Sequence, residues 1–226
     1  MAPRTFARMS GFAGLIGVVM LGVSFKINPG PPQVHPTQAQ LDAYGLTHYT
    51  QTMVGGWLQA VGTVLCIAFA LAVVQLADAM KRYAGLLTLF GGLLLAAVDL
   101  VEVALYFSAA TAAQAATPLI SLDLIHALQR MYFVVTAPAV FFPLGVVILS
   151  SRVLPRWLGY AAIGFALLFA ALGVADLFLQ LQAVDDIVGS VQGVWWLLAS
   201  IALIVRSGAF AATATRPLAE PERALA

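Results

Sequence analysis

The sequence predicts an all-α polytopic membrane helix bundle with six transmembrane helices, N-in and C-in. Three observations predict it. Of 226 residues, 62% are hydrophobic and 9% charged, against about 45–50% apolar and about 25% charged in a soluble domain. Such a chain has too few charges to shield its apolar surface as one soluble domain. Six stretches reach the roughly 20 largely apolar residues that a spanning helix needs. The basic residues, finally, gather at alternate breaks between those stretches.

The spans run at about 9–27, 53–77, 84–107, 122–150, 157–181 and 188–207. Arg4 and Arg8 precede the first, which has no small-x-small cleavage pattern after it and is expected to be retained. Asn28-Pro29-Gly30-Pro31-Pro32 stops it, because proline lacks the amide donor and fixes φ. The outer loop 28–52 follows. In it Thr37 and Gln40 have capping-box spacing, and Leu41, Tyr44 and His48 recur at helical steps, so an amphipathic helix on the outer surface is expected. It would be either an interfacial anchor or a lid. Asp78, Lys81 and Arg82 separate spans two and three. Pro118 precedes span four, which carries Pro138 and Pro143 and is expected to kink. Arg152 to Arg156 follow it, and Asp185-Asp186 separate the last two spans. Residues 208–226 are rich in Ala, Thr, Pro, Glu and Arg and are expected to form a disordered cytoplasmic tail.

Orientation follows from the basic residues. Arg4, Arg8, Lys81, Arg82, Arg152, Arg156, Arg206, Arg216 and Arg223 share one side of an alternating six-helix chain. Lys26 lies on the other side and Arg130 lies within a span. An excess of arginine and lysine marks the cytoplasmic side, and the expected location is a bacterial plasma membrane.

Charge inside a span is costly and calls for an explanation. Asp99 and Glu102 are spaced i,i+3 in span three; Asp123, His126 and Arg130 share a face of span four; Asp176 and Gln180 are spaced i,i+4 in span five. Gln59 lies near Trp57 in span two, and Gln192 near Trp195 and Trp196 in span six. Counted along the helices, most of these groups fall in one layer roughly 6–12 Å below the outer boundary. Glu102 and Arg130 lie at matching depth and are expected to pair. Three carboxyls against one arginine leave two without a basic partner, and such a group is expected to keep its proton and serve as a donor. Asp176, furthest in sequence from a basic neighbour, is the preferred acid. The aromatics of the layer, Trp57, Tyr106, Phe107, Tyr132, Phe133, Phe178, Trp195 and Trp196, would line an apolar pocket or stabilise a cation by their ring faces; an interfacial belt is the plainer alternative.

The net charge of +1 gives no field to hold a nucleic acid. A lone cysteine, Cys66, excludes intrachain disulfides and cysteine metal sites. No nucleophile elbow, HExxH, P-loop or dinucleotide fingerprint is present. Neither lysine lies deep in a span, and of three histidines only His126 lies in a span, against a Schiff-base retinal or a bis-histidine haem. No metal and no cofactor is expected.

Ala7-Arg8-Met9-Ser10-Gly11, the long first outer loop, and Leu154-Pro155-Arg156-Trp157-Leu158-Gly159-Tyr160 resemble a family of bacterial six-helix membrane proteins of unknown function. The resemblance covers most of the chain and implies the fold without an activity. In size, helical content and intramembrane carboxylic acids the chain is also similar to small membrane-embedded terpene cyclases, an analogy of chemistry.

Three functions follow as expectations. The first is a membrane-embedded acid–base enzyme acting on a lipophilic, terpenoid- or lipid-like substrate by protonation-initiated cyclisation or isomerisation. Its catalytic candidates are Asp176, Asp99, Glu102, His126 and Arg130; its substrate-binding candidates are Trp57, Gln59, Tyr106, Tyr132, Phe133, Gln180, Gln192, Trp195 and Trp196. The second is a small-molecule or proton-coupled transporter or binding protein. The third is a structural membrane subunit. In each, membrane lipid is a partner and nucleic acid is not.

Overall fold

The computed structural model describes residues 2–28, 37–113, 119–176, 178 and 182–208. They form seven α-helices and one π turn: α1 Pro3–Ile27, α2 Gln38–Leu76, α3 Tyr83–Ala113, α4 Leu119–Met131, the π turn Tyr132–Thr136, α5 Ala137–Ser150, α6 Arg156–Asp176 and α7 Gln182–Arg206. Among the described residues there is no strand. Six segments are long and apolar enough to cross a membrane, the fourth being the continuous rod of α4, the π turn and α5. The chain is a six-helix multi-pass membrane bundle.

The spans pack mostly with their neighbours in sequence, and α7 closes the ring against α1. Small residues let the backbones approach, as apolar burial alone cannot drive helices together within lipid. A Cβ on Gly17 would stand 2.8 Å from the Gly62 carbonyl, and one on Gly62 2.9 Å from that of Gly17. Gly145 and Gly159 make the same reciprocal contact between α5 and α6, at 2.8 and 3.0 Å. Where α3 meets α5, Gly91 lies against the Ala139 carbonyl, the oxygen whose helical N–H partner Pro143 lacks. The axis of the bundle is aromatic. Phe141 touches Trp195, Trp196, Phe165 and Phe169 ring to ring, and Trp196 touches Phe69. Trp195 donates its indole N–H to the Leu158 carbonyl at 3.0 Å.

Two features depart from the sequence-based expectation. The amphipathic segment of the first loop is the N-terminal part of α2 and not a separate surface helix. Thr37 caps it with the expected box, its hydroxyl accepting from the Gln40 amide while the Gln40 side chain accepts from the Thr37 amide. No proline follows before Leu76, so one 39-residue helix forms, about 58 Å long and well beyond a hydrocarbon core of about 30 Å. In the fourth span, the kink expected from proline takes the form of a π turn. The Ala137 amide bonds to the Tyr132 carbonyl five residues back, and the Thr136 hydroxyl donates to the same oxygen. Pro138 follows with no amide to restore the α pattern. The Pro29–Pro32 stop, Pro118 and nearly all of the tail 208–226 lie outside the described residues.

Candidate functional site

Helical spacing makes the polar cluster. On α2, Gln59, Thr63 and Cys66 recur at four and three residues; on α3, Asp99, Glu102 and Tyr106 do the same at three and four. α2 and α3 pack against each other, and α4 packs on α3, so these faces meet between them. Gln59 Nε2 donates to Asp99 Oδ1 at 3.0 Å and reaches Glu102 Oε2 at 3.5 Å. From α4, Gln129 Nε2 donates to Glu102 Oε1 at 3.1 Å and to Tyr106 Oη at 3.2 Å. Two amides from two helices thus clamp two carboxyls on a third.

The clamp is asymmetric. Both oxygens of Glu102 accept an N–H, which suits a carboxylate. Asp99 accepts at Oδ1 alone. Its Oδ2 is buried without a hydrogen bond, although the Thr63 hydroxyl approaches the residue from α2. Asp99 is 9% exposed. Among the described residues neither carboxyl has a basic partner. A buried oxygen without a partner is rare in native proteins and calls for a function or an occupant. Further into the bundle, Tyr132 Oη donates to Gln192 Oε1 at 2.7 Å, tying the π turn to α7.

Two further buried oxygens without a hydrogen bond lie above this layer. Tyr44 Oη, on the part of α2 outside the span, and Thr52 Oγ1 are both buried without a hydrogen bond. Burial pushes the Tyr44 phenol above its ordinary range, and the neighbouring Thr52 hydroxyl opposes that shift.

The expected Glu102–Arg130 pair is not present. Arg130 is half exposed, and its Nε lies 3.4 Å from Asp176 Oδ2. The reason is angular. Successive residues of a helix point about 100° apart, so Gln129 and Arg130 cannot both face α3, and Gln129 does. The same finding removes the argument for Asp176 as the preferred acid, since Asp176 is the carboxyl that has the arginine. His126 lies half-buried one turn before Arg130 with an interaction of its own. The side chain of Asp123 and all of Gln180 lie outside the described residues.

Among the aromatic candidates, Tyr106 joins the clamp, Tyr132 meets Gln192, and Phe133 packs on Tyr132 and Phe169. Trp57 is 57% exposed and points away from the cluster that Gln59 enters. Trp195 and Trp196 were expected to line a cavity; each is 3% exposed and sealed by ring contacts with Phe141. They fill the axis. Two surface hollows, of about 440 and 380 Å³, lie at the opposite, basic end of the bundle. Gln129 is the site residue that sequence reasoning missed. Its signal was an amide three residues before Tyr132 and four after buried Ile125.

Comparison with protein families, with curated proteins and with solved structures finds no match for this chain.

Proposed function

We propose that the chain is a cofactor-independent intramembrane acid–base enzyme acting on a lipophilic, terpenoid- or lipid-like molecule, with Asp99 as the acid. The observation that supports it is the unpartnered Asp99 Oδ2 beside a fully accepting Glu102. Among the described residues Oδ2 makes no hydrogen bond, the Thr63 hydroxyl being close by, so an O–H there can pass to a substrate without breaking one. Transfer of that proton to an alkene carbon or an epoxide oxygen leaves an Asp99 carboxylate already bonded to Gln59. The substrate cation then closes a ring or shifts, and loses a proton from a neighbouring carbon to Asp99, with no co-reactant needed. Low local dielectric strengthens each of these hydrogen bonds.

Asp99→Asn keeps shape and polarity but removes the transferable proton. With turnover, ligand binding and thermal stability measured together in detergent on a panel of lipophilic polyenes and epoxides, it is expected to abolish turnover and leave folding and binding intact. Full turnover in Asp99→Asn would sink the mechanism. Loss of binding with folding intact would favour a carrier instead.

Within this reading both termini lie in the cytoplasm of a bacterial cell and the clamp lies in the outer half of the plasma membrane. The support is the distribution of arginine and lysine. Reporter fusions at each terminus test it, an external signal from either being the contrary result.

A further inference from the structure

The turn between α5 and α6 and the end of α7 meet at one end of the bundle. There Arg152, Arg156 and Arg206 line a hollow of about 380 Å³ together with Ser151, Leu154 and Pro155. Three guanidinium groups share this open depression, which favours an anion there. Among the described residues none of the three has a carboxylate within ion-pair distance. Leu154, in the turn that carries Arg152 and Arg156, is buried.

The surroundings point to the depth of this hollow. Trp157 and Tyr160, in the first turns of α6, are 54% and 66% exposed. Tryptophan and tyrosine on the outside of a spanning helix sit at the headgroup level of a bilayer. Val205, beside Arg206, is 76% exposed and offers an apolar flank just below it. The basic hollow therefore lies where lipid phosphates lie, with apolar surface where acyl chains begin. Guanidinium suits phosphate oxygens through paired, parallel N–H groups.

We propose that this hollow binds the phosphate headgroup of an anionic phospholipid, held by Arg152, Arg156 and Arg206. The site is remote from Asp99 and does not depend on the acid–base reading. The shared chemistry with free phosphate is separated by the test.

The full chain is placed in nanodiscs or detergent and titrated with phosphatidylglycerol, with phosphatidylcholine as the uncharged comparison, and bound lipid is read by native mass spectrometry. Phosphatidylglycerol is expected to be retained in preference. Each neutralisation, R152Q, R156Q or R206Q, is expected to weaken it about fivefold. The double change K81Q/R82Q removes two charges from the same end of the bundle but outside the hollow, and is expected to change affinity less than about twofold. An equal loss in K81Q/R82Q would mean diffuse attraction and overturn the site, as would no preference over phosphatidylcholine. Displacement of the lipid by inorganic phosphate at matching concentration would assign the hollow to free phosphate and overturn the lipid proposal. The single variants are read separately, so a triple variant that failed to fold would not remove the test.

Discussion

Gly173 of α6 lies directly against the backbone of Val134 in the π turn. A Cβ at Gly173 would stand 2.6 Å from the Val134 amide nitrogen and 2.8 Å from the Phe133 carbonyl carbon. These are main-chain atoms and cannot rotate aside. The widened turn and the missing side chain fit each other, and Tyr132, the first residue of that turn, donates to Gln192.

Gly173→Ala is therefore expected to lower stability by about 1–3 kcal/mol, the usual cost of forced overpacking. Gly164 is the control, since it lies in the same helix with nothing within 4 Å of its Cβ position. Gly164→Ala is expected to be neutral or to stabilise by up to about 1 kcal/mol through helix propensity. Thermal unfolding of both variants in one detergent makes the comparison, and equal effects would contradict the fit.

Gln129→Leu is expected to cost about 1–3 kcal/mol, because the half-buried Glu102 Oε1 loses its donor. Gln129→Leu with Glu102→Leu removes both partners and should cost less than the sum of the two single changes. A double-mutant cycle on unfolding free energies measures this, and strict additivity would mean the bond contributes nothing.

The Arg130–Asp176 pair is expected to be weak. The side chains are 51% and 16% exposed; near the end of its span Arg130 can snorkel to interfacial water, where ion pairs contribute about 0–1 kcal/mol. Arg130→Ala should thus be tolerated, and its coupling to Glu102→Ala should be close to zero. A large coupling to Glu102 in the same kind of cycle would contradict the observed partners.

Trp195→Phe keeps much of the ring packing against Phe141 but removes the N–H bonded to the Leu158 carbonyl. A loss of about 1–3 kcal/mol is expected for a buried bond of this kind, the smaller ring adding to it. Unfolding in detergent checks it. An unchanged midpoint would mean that the indole nitrogen carries no weight at the α6–α7 contact.

What the sequence made legible was what depends on composition and on position along a helix. Six apolar runs gave the spans, and Thr37 with Gln40 gave the start of α2. The in-span residues Asp99, Glu102 and Gln59 were singled out by the cost of polar groups in lipid, and the structure brings them together. What escaped was rotation. Depth along the axis put Glu102 level with Arg130, but the choice between Gln129 and Arg130 is a matter of helix phase. The π turn alters that phase, and no short pattern at Tyr132–Thr136 announces it. Depth likewise could not show that Trp195 and Trp196 turn inward to fill the axis while Trp57 turns outward.

The π turn also bears on which changes of length this chain can absorb. A regular α-helix would cover the same rotation with one residue fewer. Loss of a residue inside Tyr132–Thr136 would leave a plain helix with Gln129 still opposite Glu102, at the expense of the seat on Gly173. Loss of a residue between Gln129 and Tyr132 would swing Gln129 about 100° out of its place. The fourth span therefore carries a spare residue at one position. Among descendants of this sequence, a shortened rod that keeps the clamp should be shortened there.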